Sequence, residues 1–208
     1  MRAFVGFGEF GRQIEALLET VEGECDCIRF DDPLVASGDP LARPFADFER
    51  DEYRDCDFYV CMGYRHRRTK AEILVRLEAL GRRLPSVIHP TSWVSPTARV
   101  GPGVFIYPMC VVDKGVVLDA GVVLNNAVTV SHDSIIGSAG YLSPGVTVSG
   151  EVRIGECVFV GSGATIANLI TIGQNVTVGV GTVVTRDVGS DLSVIGNPMK
   201  ILDRPLSI

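Results

Sequence analysis

The sequence predicts a two-part protein, a small α/β half-domain of Rossmann type followed by a parallel β-helix of six-residue repeats. Three observations predict it. One hydrophobic phase with a period of six runs from Ile88 to Val184, a glycine-rich turn separates an apolar strand from an amphipathic helix near the start, and the charges crowd into the first part. Residues 1–84 hold 13 basic and 17 acidic side chains, leaving 6 and 8 for the other 124. The expected organisation is an α/β domain over 1–84, a β-helix over 86–202 and a C-terminal tail over 203–208.

The repeat fixes the second part. Stepping by six from Ile88 through Val94, Val100 and Ile106 to Val184, all 17 positions are aliphatic. The fifth place of each hexad, from Ser92, Ala98, Val104 and Cys110 to Val176 and Thr182, is small or β-branched, and Gly, Asp, Asn or Ser commonly follows the aliphatic residue. Such a period fits neither a 3.6-residue helix nor simple alternation. It suits short strand segments joined by turns, three to a coil, with coils stacked about 4.8 Å apart. A β-sandwich of short strands has no reason to hold one phase for so long.

In the first part, Ala3-Phe4-Val5 predicts a strand and Arg12 to Leu18 a helix, with Gly6-Phe7-Gly8-Glu9-Phe10-Gly11 between them. Glycines at this junction let a phosphate approach backbone N–H groups at the positive end of the helix, or make a tight turn. Gly6, Gly8 and Gly11 are therefore substrate-binding candidates. A second strand, Cys27-Ile28-Arg29-Phe30, ends in Asp31-Asp32, where an acidic side chain can accept from a ribose or base. A third, Phe58 to Gly63, reaches another glycine, and Thr69 to Leu80 predicts an amphipathic helix. Gly63 and Arg65, the latter in the basic run Arg65-His66-Arg67-Arg68, complete the candidate ligand edge. The unit is too short for a dinucleotide domain and suits a mononucleotide one.

Composition narrows the function. A formal charge of −6 on 208 residues lacks the basic field that nucleic acid rewards. No stretch is long and apolar enough for membrane insertion, and no signal peptide precedes the first strand, so a cytoplasmic protein is expected. The six cysteines have no CxxC spacing, and neither a disulfide framework nor a metal site is expected. No serine or cysteine stands in a nucleophile elbow. Of the three histidines, His66 lies in the basic loop and His89 follows the first aliphatic residue of the repeat. His132, in Val130-Ser131-His132-Asp133, occupies the third place of its hexad, outside the positions that fill the interior.

The hexads, with the closing Val183-Val184-Thr185-Arg186-Asp187-Val188 and Gly196-Asn197-Pro198-Met199-Lys200, resemble the hexapeptide-repeat acyltransferases. That resemblance implies a left-handed β-helix assembled as a homotrimer; Met199 stands where the usual form has Ala. A small nucleotide-binding domain before the helix resembles the bacterial sugar acyltransferases that include sialic acid O-acetyltransferases and N-acetyltransferases of nucleotide-linked 4-amino-6-deoxysugars. The sequence matches them at Gly6 to Gly11 and at Phe30-Asp31-Asp32, and departs at Gly63-Tyr64-Arg65, where Asn or Asp commonly follows the glycine.

The resemblance implies an acetyl-CoA-dependent N-acetyltransferase acting on a nucleotide-linked amino sugar, with His132 as general base, Asp133 orienting it and Asn125 near the acceptor amine, in a cleft between two subunits. It places coenzyme A along the groove between adjacent β-helices, with Gly150, Gly161, Ser162, Gly179 and Gly181 as candidates for close approach. Tyr141 stands where some relatives have a second histidine beside the thioester. A sugar O-acetyltransferase of the sialic acid type is the alternative, and a noncatalytic nucleotide-binding scaffold a more distant one.

Overall fold

The computed structural model describes residues 1–203 and 206; the remainder of the expected 203–208 tail lies outside the described residues. The first part alternates strand and helix: β1 (Arg2–Val5), α1 (Glu9–Glu22), β2 (Cys27–Phe30), α2 (Asp32–Ala36), β3 (Ala42–Arg43), β4 (Asp57–Val60) and α3 (Arg67–Ala79). The sheet is parallel, in the order β3-β2-β1-β4. The chain steps outward from β1 and then returns to β4 on its other side. That reversal opens a crevice beyond the carboxyl ends of β1 and β4, where α/β sheets bind ligands. Two short elements, α2 and β3, were not legible as periodic segments, and β3 makes the predicted third strand the fourth.

The second part is a left-handed parallel β-helix. Two-residue strands recur every six residues from Val87–Ile88 to Val183–Val184, and each pairs with the strand a full coil away, as Val117 with Ile135 and Ile135 with Arg153. Three flat faces result. The first carries Val87, Phe105, Val123, Tyr141, Phe159 and Thr177 as its outward residues, the second begins at Trp93 and the third at Arg99. The ladder aliphatics from Ile106 to Val184 are all buried; Ile88, Val94 and Val100 are half-buried at the end where no coil precedes them.

The fourth place of the hexad turns each corner. From Gly103 to Gly181 every sixth residue has a positive φ, Met109, Ala127, Asp133 and Cys157 among them. Glycine after the ladder aliphatic has another cause, close stacking. A Cβ on Gly137 would lie 2.7 Å from the backbone carbon of Gly155 in the next coil.

The α/β part seats on the first face and on the edge it shares with the third. Phe4, Ile14, Leu18 and Tyr59 pack with Val87, Phe105, Val123 and Tyr141. Helix α3 runs along the edge: Leu74 meets Gly103 and Gly121, Arg67 Nε donates to the Cys157 carbonyl at 2.8 Å, and Arg68 Nε donates to Asn175 Oδ1 at 3.0 Å. Lys70 falls on the same helical stripe as Ile73, Leu74 and Leu77 and is buried with them. Among the described residues its Nζ has no hydrogen-bond partner, and it lies 5.8 and 5.2 Å from the ring centres of Phe10 and Phe105.

Candidate active site

A cavity of about 660 Å³ occupies the crevice beyond β1 and β4. Gly6 and Gly8 line it from the glycine loop, Asp31 from the end of β2, and Gly63, Arg65 and His66 from the segment before α3. The three glycines divide the work. Gly6 turns the chain at φ 75°, Gly8 caps α1 with nothing within 4 Å of where its Cβ would sit, and Gly11 lets the helix close on the strand, since a Cβ there would lie 2.9 Å from the Phe7 ring. The open position is thus Gly8, where a ligand can approach bare backbone. Gly63 is also closely packed, with Phe10 Cβ 3.5 Å from its Cβ position.

The two aspartates differ. Asp31 accepts from Phe7 N at 2.7 Å and caps α2 by accepting from Leu34 N at 3.2 Å, so it shapes the glycine loop while facing the cavity. Asp32 accepts from Phe45 N at 2.8 Å and is not part of the cavity wall. The basic run splits as well: Arg65 and His66 face the cavity, whereas Arg67 and Arg68 are tied to the β-helix.

Tyr141, on the first face, closes the cavity from the β-helix side. Its hydroxyl accepts from Asn125 Nδ2 at 3.1 Å. Burial raises the phenol pKa, and this hydrogen bond pulls it partly back. Asn125 stands on the corner between the first and second faces, and Gly161, Ser162, Gly179 and Gly181 stack on that same corner in later coils.

His132, Asp133 and Gly150 lie on the other corner of the second face, between it and the third. His132 Nδ1 donates to Asp133 Oδ2 at 3.1 Å, and both side chains are about half exposed. Lys114 Nζ lies 3.6 Å from the same carboxylate oxygen. Since a carboxylate only accepts, the contact fixes the proton on Nδ1 and leaves the Nε2 lone pair free. Glycines border the pair on both sides. A Cβ on Gly150, in the following coil, would sit 2.5 Å from His132 Nε2, and one on Gly115, in the preceding coil, 2.3 Å from Asp133 Oδ1. Gly115 escaped the sequence reading, although its position one coil before Asp133 follows from the repeat.

Two groups of candidates therefore sit at opposite edges of the second face. One extended face of about four residues spans roughly 13 Å, far beyond hydrogen-bond reach. In a single chain Asn125 and His132 do not meet. The second face and its corners also carry Trp93, Met109, Val111, Leu169 and Val180, all exposed.

Other chemistry is sparse. Burial pushes up the thiols of Cys56, Cys61, Cys110 and Cys157, which disfavours the thiolate nucleophile. Among the described residues no cluster of His, Cys, Asp and Glu could hold a metal ion, and no helix is long and apolar enough to cross a membrane.

No protein-family model and no curated protein matches the sequence. Solved structures do. The acetyltransferase domain of PglB from Neisseria gonorrhoeae FA1090, in complex with acetyl coenzyme A, is 32% identical over 96% of this chain and 98% of its own, with a TM-score of 0.87. PerB from Caulobacter crescentus, in complex with CoA and GDP-perosamine, is 27% identical over 96% of both chains, also with a TM-score of 0.87. WeeI from Acinetobacter baumannii AYE, 22% identical over 97% of this chain and 99% of its own, shares the fold with a TM-score of 0.85. With the repeat, the α/β unit and these likenesses together, the chain belongs to the hexapeptide-repeat sugar acetyltransferases and is an acyltransferase.

Proposed function

We propose that the chain transfers the acetyl group of acetyl-CoA to the amino group of a nucleotide-linked amino-deoxysugar, working as a homotrimer. The observation that carries this is the cavity itself. It begins at the bare backbone of Gly8, passes the cationic Arg65 and ends against Tyr141 of the β-helix, so a ligand whose phosphates lie near the glycine loop directs its far end toward Asn125. A nucleotide sugar has that shape. The α/β domain over 1–84 then holds the nucleotide, and the β-helix over 86–202 presents the sugar. PerB, bound to CoA and GDP-perosamine, supports the same pairing of ligands.

The chemistry follows from the free Nε2. The acceptor amine attacks the thioester carbonyl, its surplus proton passes to His132 Nε2, and as the C–S bond breaks the imidazolium hands that proton to the departing sulfur, so coenzyme A leaves as the thiol and the base is restored. Asp133 holds the ring and stabilises the imidazolium that forms. Asn125 positions the amine. Because Asn125 and His132 lie on opposite corners, a complete site takes Asn125 and the cavity from one subunit and His132 from its neighbour. The exposed residues of the second face supply the contact, and the coenzyme lies in the groove so formed, along Gly161, Ser162, Gly179 and Gly181. Transfer is direct, without an acyl-enzyme.

A panel of UDP-, dTDP- and GDP-linked amino sugars, incubated with acetyl-CoA, tests this through thiol release and product mass. Acetylation of at least one amine on the panel is expected. Thiol release with hydroxyl sugars alone, or equal affinity for the nucleotide-free amino sugar by calorimetry, removes the proposed acceptor.

A further inference from the structure

The geometry assigns Gly150 a positioning role: the absence of a side chain there creates the slot in which the His132 imidazole rests with Nε2 uncovered. The inference rests on reading His132 as the base. Gly150 lies eighteen residues after His132, directly beside it in the stack, and Glu151 N donates to the His132 carbonyl at 2.9 Å to hold the two coils in register. A Cβ on Gly150 would stand 2.5, 2.6 and 3.1 Å from His132 Nε2, Cε1 and Cδ2. All three of these nearest atoms belong to one ring, and they include the nitrogen that must receive the proton.

Backbone freedom does not explain this glycine. Gly150 lies outside the left-handed region, so an alanine could adopt its conformation. Nor does close packing of coils, which at Gly137 and Gly155 sets a Cβ against neighbouring backbone that cannot move. At Gly150 the obstacle is the far end of a half-exposed side chain, which is free to rotate away. A methyl group there is therefore cheap for the fold and damaging to the base. It covers Nε2 or expels the ring, and it parts Nδ1 from Asp133.

The test is Gly150→Ala beside His132→Ala and the double variant, assayed with acetyl-CoA and the best acceptor of the panel above. Gly150→Ala should lower kcat by about 10²-fold, the scale for displacing a reacting group by about an ångström, with the KM for acetyl-CoA and the melting temperature nearly unchanged. In the His132→Ala background the same change should do nothing further, because it acts only through the ring. Diethyl pyrocarbonate, read by peptide mass spectrometry, should modify His132 at a changed rate in Gly150→Ala, faster where the ring is expelled and slower where Nε2 is covered, a readout independent of any acceptor. Parent-like kcat and modification rate in Gly150→Ala overturn the inference, and so does an additional loss in the double variant. Full turnover by His132→Ala alone instead sinks the reading of His132 as base. Should Gly150→Ala destabilise the fold, the double variant should restore the melting temperature, and failure to do so places the clash elsewhere and overturns the slot.

Discussion

The first and second faces of the prism share one inward ladder and carry opposite outward ones. On the first face Val87, Phe105, Val123, Tyr141 and Phe159 are buried against the α/β part of the same chain, and Thr177 is buried beyond them. On the second, Trp93, 52% exposed, and Val111, 38% exposed, are followed by Thr129, Thr147, Thr165 and Val183, and among the described residues no element covers them. The contrast teaches how a repeat with one interior builds two kinds of interface. One is closed within the chain and forms a cavity; the other stays open and bears its polar candidates at its edges, where the proposed function puts a second copy.

The largest expected effect breaks the second face. His132→Ala should lower kcat by about 10²–10⁴-fold, the range for lost general-base assistance, while the assembly stays intact by light scattering. Mixing decides whether the site is shared. If His132→Ala and Asn125→Ala chains are unfolded together in equal amounts and refolded, random assembly gives about a quarter of the sites both native groups, with a matching return of activity. A site contained in one chain predicts no return at any ratio.

The next effect concerns the first face and the edge along α3. Burial lowers the Lys70 pKa from 10.5 to about 7, and the nearby Cys61 opposes it only weakly. The native pKa lies below the unfolded one, so this contribution to stability is complete above 10.5 and is lost as the pH falls through about 7. Lys70→Met keeps the length and removes the charge. It should stabilise the chain by about 3 kcal/mol at pH 8 and flatten the rise in stability between pH 7 and 10, as read from urea unfolding. An unchanged pH slope would show that the amine reaches water.

Much of this is legible in the sequence. The aliphatic ladder reports the interior directly, because each hexad returns one residue to a shared axis. The outward ladder carries a signal that the sequence reading passed over, since large apolar residues at Phe105, Val123, Tyr141 and Phe159 recur at every third hexad, on the face the structure shows to be covered. Lys70 on the stripe of Ile73, Leu74 and Leu77 follows from helical periodicity alone. Other features depend on contacts across the stack or the sheet, which no local pattern records. Asp31 could not be recognised as a clasp on Phe7 N without the parallel pairing of β1 and β2. Nor could Gly115 and Gly150 be distinguished from ordinary turn glycines until their neighbours one coil away were known.

The smallest effect tests the junction of the two faces. Tyr141 packs against Phe10, Tyr64 and Phe159, with ring centres 5.9, 5.8 and 6.0 Å away, and only its hydroxyl reaches Asn125. Tyr141→Phe therefore preserves the aromatic wall and releases the amide. Loss of one hydrogen bond of about 1 kcal/mol should raise the acceptor KM about fivefold and leave the KM for acetyl-CoA unchanged. The two Michaelis constants separate the assignments that sequence and structure make for this residue. Were the donor constant to rise instead, Tyr141 would face the thioester, and the wall of the cavity would belong to the coenzyme groove.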